Sequence, residues 1–108
     1  MPYDEKLAAR IDELVKGRKD FTSKKMFGGI GYMLNGNMCI GVHKNELIVR
    51  CDVADTDKLL AEKNVKIFDI SGKPMKGWLL ISSEGTKGNG LQKWFERSLA
   101  FVQTLPAK

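Results

Sequence analysis

Residues 24–51 read KKMFGGIGYMLNGNMCIGVHKNELIVRC, and how this stretch pairs with itself decides the fold. Its glycines at 28, 29, 31, 36 and 41 invite a nucleotide-loop reading. A phosphate-cradling loop runs strand, glycines, helix, with backbone N–H groups aimed at the anion. Here a hairpin pattern follows the glycines. No Gly-Lys-Ser/Thr triplet is present, and Leu34 stands where the third glycine of a dinucleotide fingerprint would fall. The glycines are therefore read as parts of a sheet.

Successive side chains on a strand point to opposite faces, so the pairing can be worked out by parity. With Lys44-Asn45 as a two-residue turn, His43 faces Glu46, Val42 faces Leu47, Ile40 faces Val49 and Met38 faces Cys51. With Asn35-Gly36-Asn37 as a three-residue loop and Asn37 left-handed, Leu34 faces Met38, Tyr32 faces Ile40 and Ile30 faces Val42. One apolar face then runs across three strands. The other face receives Phe27, Gly29, Gly31, Met33, Cys39, Gly41, His43, Glu46, Ile48 and Arg50. Over the glycines that face is bare. Either a neighbouring side chain such as Phe27 or Met33 lies over the gap, or another backbone or a flat partner approaches there. Gly29, Gly31, Cys39, Gly41 and Arg50 mark this expected interaction face.

Working outward, a first helix is predicted over 4–16. Asp4 caps it, Leu7, Ile11, Leu14 and Val15 share one side, and Gly17 ends it. A basic loop, GRKDFTSKK, leads to strands near 26–34, 38–43 and 46–51. A short helix carries DTDKLLAEK with Leu59 and Leu60 as anchors. Strands VKIFDI and GWLLIS follow. The last helix runs from residue 89 or 90 to 105 on an apolar stripe of Leu91, Trp94, Phe95, Leu99 and Val102. The order α-β-β-β-α-β-β-α with tight turns predicts an α+β fold. It is a two-layer α/β sandwich with a mostly antiparallel sheet and its helices on one side.

The 108 residues suit a single domain, 1–108, and 43% hydrophobic with 29% charged residues is ordinary for a globular chain. No apolar run reaches the length of a membrane span. The start is acidic and amphipathic, unlike a secretory leader, so the expected location is cytoplasmic. The net charge of +5 permits an anionic partner, although 13 acidic residues among 18 basic ones leave the surface mixed. The one basic cluster is Arg18, Lys19, Lys24 and Lys25, a candidate nucleic-acid or anion contact.

Catalytic and metal-binding groups are hard to assemble. The parity above sends Cys39 and Cys51 to opposite faces, which excludes a disulfide between them. It also sets Cys39 opposite Arg50, where a guanidinium would favour the thiolate. His43, the sole histidine, falls about 13 Å from Cys39 along the strand, too far for a Cys–His pair. No zinc spacing is available, and DVADTD lacks the glycine and terminal glutamate of a calcium loop. Those aspartates suit helix capping. Trp78 and Trp94, beside long apolar runs, read as core or interface aromatics.

The paired signature Met26-Phe27-Gly28-Gly29 and Gly72-Lys73-Pro74-Met75-Lys76-Gly77-Trp78, with ELIVRCD and the aromatic last helix, resembles the N-terminal domain of the TfoX/Sxy family. The resemblance runs from about Leu7 to Leu105. It implies a sandwich like that of secretion chaperones. It also implies a regulatory role, since the family is named for competence regulators thought to act with a cyclic-AMP receptor protein at promoters. Those regulators carry a second helical domain that this sequence does not contain. The resemblance brings no catalytic residues and no cofactor.

The sequence reading is thus a non-enzymatic regulatory or protein-interaction module, with a protein partner such as a transcription regulator, or a homodimer. Two alternatives stand beside it. One is direct nucleic-acid binding through the basic 16–25 loop. The other is a redox-sensitive or small-ligand role at the glycine-lined face near Cys39.

Overall fold

The computed structural model describes residues 3–26, 28–69 and 72–107. Helix α1 (Glu5–Val15) is capped by Asp4, whose carboxylate accepts from the backbone N–H groups of Lys6 and Leu7. Gly17 follows at φ +81° and turns the chain away. Six strands then build one antiparallel sheet: β1 (Phe21–Met26), β2 (Gly29–Leu34), β3 (Asn37–His43), β4 (Glu46–Arg50), β5 (Val65–Phe68) and β6 (Met75–Ile81). Their spatial order is β1-β2-β3-β4-β6-β5. Helices α2 (Thr56–Leu60) and α3 (Gly90–Val102) complete an α+β fold of three helices on the sheet.

The expected order lacked one strand. The second half of the basic 16–25 loop is β1, paired with β2 from Phe21↔Leu34 to Met26↔Gly29 without a break. Phe21 reaches the core, with its ring 5.7 Å from that of Phe95. The last helix also stops three residues short of its expected end, at Val102, and α2 is shorter than the DTDKLLAEK stretch.

The β3–β4 hairpin has the expected pairs, Ile40↔Val49, Val42↔Leu47 and His43↔Glu46, around the two-residue turn at Lys44-Asn45. The β2–β3 hairpin differs. Asn35 (φ +51°) and Gly36 (φ +88°) form a two-residue turn, the preferred chemistry for joining twisted strands, and Asn37 begins β3. Leu34 therefore pairs with Asn37, and Met33 with Met38. The register then shifts so that Tyr32 still meets Ile40 and Ile30 still meets Val42. Cys39 is the extra residue, a β-bulge.

That one residue re-sorts the faces. Cys39 and Ile40 are both fully buried on the helix side. Ser98 of α3 donates to the Cys39 carbonyl at 2.7 Å, and the Cys39 thiol donates back to Ser98 Oγ at 3.3 Å. Met38 moves to the opposite side. Asn37 turns inward, 4% exposed, and its amide donates to the Pro106 carbonyl at 2.8 Å. Placing Cys39 on the outer face opposite Arg50, and Met38 opposite Cys51, is thereby corrected.

Two buried polar ties fix the helical layer to the sheet. The Tyr32 hydroxyl, 1% exposed, reaches the Ala8 carbonyl (3.1 Å) and the Asp12 carboxylate (2.9 Å) on α1. Burial and the nearby carboxylate push its pKa well up, so it stays a donor throughout the working range. Thr56, with no exposed surface, accepts from the Gly77 N–H at 2.8 Å. Gly77 is left-handed at φ +91° and its carbonyl accepts from Cys51 N. This explains the glycine at 77 in the Gly72–Trp78 signature, since a side chain there would be strained and would press on Val53. Thr56→Val keeps the shape but leaves the Gly77 N–H unsatisfied. It is expected to cost about 1–3 kcal/mol in urea denaturation, and Thr56→Ser much less.

Candidate functional site

With all three helices on one side, the opposite face of the sheet is the natural place to look for function. Directly paired residues point the same way. One row across all six strands on this outer face runs Lys24, Gly31, Gly41, Ile48, Leu80 and Lys66. Its centre is apolar: Ile48 and Leu80 are only 3% and 2% exposed, though no described helix covers them. Phe68, Met38 and Trp78 pack around them. Met33 and Met38, a cross-strand pair, and Trp78 remain half-buried.

Gly29 and Gly41 prove to be close-approach positions. A Cβ on Gly29 would collide with the Val42 carbonyl oxygen, and one on Gly41 would stand 2.6 Å from that of Ile30. The approaching backbone is the neighbouring strand of the same sheet. The chain lying over the gap is Met38, whose methyl would meet a Gly41 side chain at 2.9 Å. The expected covers are Phe27 and Met33; Phe27 lies outside the described residues, as do Ile70, the last residue of the VKIFDI strand, and Ser71 after it.

Arg50 does sit on this face. Its guanidinium lies 5.1 Å from the Trp78 ring centre, a cation–π contact, and Nη1 donates to the Met38 carbonyl at 3.4 Å. Cys39 is on the other side of the sheet. Burial pushes its thiol pKa up, and the Ser98 hydrogen bond and the charges of Arg18 and Arg50 offset only part of that. Cys51 is raised by burial as well. Neither is a poised thiolate.

The basic cluster does not converge. Arg18 is held by Asp20 through two bonds of 3.0 and 3.1 Å and lies over the Phe21 ring. That pairing raises the Arg18 pKa and lowers that of Asp20. Lys24 and Lys25 are exposed neighbours on β1 and so project to opposite faces. Lys19 precedes the strand.

A cleft of about 330 Å³ lies between α2, α3 and the end of β4. Cys51, Leu59, Trp94 and Phe101 contribute to its walls, and the Glu62–Arg97 ion pair (2.9 Å) crosses it from the loop after α2 to α3. Its lining carries both signs of charge, Asp52, Asp55 and Glu62 with Lys58 and Arg97, while Arg50 contributes from β4 with its guanidinium turned to the outer face. Among the described residues no three His, Cys, Asp or Glu side chains cluster as a metal site, and no helix is long and apolar enough to cross a membrane.

The family model of the TfoX N-terminal domain matches residues 13–102, most of the chain. The chain belongs to the TfoX N-terminal domain family. No curated protein and no solved structure matches it. The matched span covers every strand of the sheet and both α2 and α3, so the outer face belongs to the TfoX N-terminal core. Sequence reasoning placed Gly29, Gly31, Gly41 and Arg50 there. It missed Met38, Phe68, Trp78 and Leu80, which the Asn35-Gly36 turn and the β4–β6 pairing bring together.

Proposed function

We propose that this TfoX N-terminal domain is a non-enzymatic, cytoplasmic regulatory module that docks a protein partner on the outer face of its sheet. The observation that carries the reading is the apolar centre of that face, around Met33, Met38 and Trp78, on a sheet whose helices all lie on the other side. An antiparallel sheet with one helical layer commonly leaves its second face to solvent, and a solvated face is normally polar. This one is polar at its margins and at one central position, Arg50, whose guanidinium lies against Trp78. Its unpaired charges are positive, Lys24 and Arg50, because Glu46 is tied to Lys66 at 3.0 Å. Stacking two copies would set positive charge against positive charge, so the reading favours a heterologous partner with an apolar anchor and an acidic border, of the transcription-regulator kind the family suggests.

A photo-reactive residue placed at Met33 in cells tests this, with the same residue at Glu96 on the exposed side of α3 as control. One protein, cross-linked from Met33 and not from Glu96, should bind the purified domain and lose binding on Met38→Asp. Equal labelling from both positions, or only domain–domain products, overturns the proposal.

A further inference from the structure

The two edges of the sheet differ. At one edge, β5 is four residues long, its register breaks between Ile67 and Phe68, and Lys66 is anchored to Glu46. At the other, β1 pairs with β2 over six residues with no bulge and no proline. Asn35 N donates to the Asp20 carbonyl at 2.9 Å. Bonded and non-bonded pairs alternate along an antiparallel ladder, so Thr22 and Lys24 bond inward to β2. The N–H and C=O groups of Phe21, Ser23 and Lys25 then point outward, where no described strand meets them.

This open edge carries charge of one sign. Arg18 is neutralised by Asp20, but no described carboxylate lies within ion-pair distance of Lys24 or Lys25. We propose that β1 accepts an extended acidic segment of a partner protein as a seventh strand, with consecutive acidic residues meeting Lys24 on the outer face and Lys25 on the helix face. The alternation is the argument. A neighbouring strand sends successive side chains to opposite faces and so reaches both lysines, whereas a phosphodiester backbone running along one face meets only one of them. Main-chain bonds to Phe21, Ser23 and Lys25 would supply affinity, and the two lysines the choice of partner.

The test uses the whole domain and the peptide Val-Thr-Glu-Glu-Thr-Val, capped at both ends. Amide hydrogen exchange should slow at Ser23 and Lys25 when the peptide is added, with little change at Thr22 and Lys24. Lys24→Glu with Lys25→Glu should weaken binding about tenfold or more, more salt should weaken it too, and a peptide with proline at its centre should not bind. An unchanged amide spectrum confirms that the double variant is folded. No slowing at Ser23 and Lys25 at millimolar peptide overturns the proposal. So does a single-stranded oligonucleotide that competes through the same lysines while those amides stay unprotected. The readout is confined to β1, so it stands or falls separately from docking on the outer face.

Discussion

Gly29→Ala should destabilise the domain by about 3 kcal/mol or more, the upper end of the cost of overpacking. The added methyl would meet the Val42 carbonyl oxygen and carbon and the His43 Cα, all within 3.3 Å and all backbone. None of these can swing aside as a side chain would, so β2 and β3 must separate at the start of their ladder. Gly41→Ala should cost less, because one of its two nearest obstacles is the flexible end of Met38. Urea midpoints at an unchanged slope would measure both. A Gly29→Ala variant within 0.5 kcal/mol of the parent would mean that the two strands do not approach each other in this way.

Trp94→Ala should be the costliest truncation, about 3–5 kcal/mol. The indole is 2% exposed, set in the main core under α3, with the Arg97 guanidinium 4.7 Å and the Lys93 ammonium 5.4 Å from its ring centre. Small domains have only about 5–15 kcal/mol in total, so this variant should be partly unfolded well below the parent's melting point. Trp78→Ala is the informative comparison. Trp78 is half-buried on the outer face, against Phe68 and Arg50, and its removal should cost less than half as much. Equal costs for the two would contradict the assignment of one tryptophan to the core and the other to a surface available for docking.

The sequence was readable where side chains alternate and opaque where they do not. Ile30↔Val42, Tyr32↔Ile40 and Ile40↔Val49 follow from parity alone. They survive the misread loop for a simple reason: a three-residue loop without a bulge and a two-residue loop with a one-residue bulge give the same pairing beyond the bulge. Only the residues between turn and bulge change sides, and these are Met38 and Cys39. The Asn35-Gly36 pair, a strong hairpin signal, could have revealed the turn, and the bulge would have followed. Strand β1 had no such signal. Phe-Thr-Ser-Lys-Lys-Met is an edge strand whose polar residues face water on both sides, so it carries no clear alternation. The apolar centre of the outer face was hidden too, because it depends on β6 lying beside β4, a long-range pairing.

The division of the sheet into two faces hinges on the bulge that carries Cys39 beneath α3, and the Cys39 thiol reports on it directly. Both cysteines are buried and free. In the native domain at neutral pH, an aromatic disulfide reagent should label neither thiol on the timescale of a free cysteine, and both should react at once in strong denaturant. Prompt reaction of Cys39 in the folded protein, with Cys51 still protected, would put Cys39 back on the outer face and contradict the register described above.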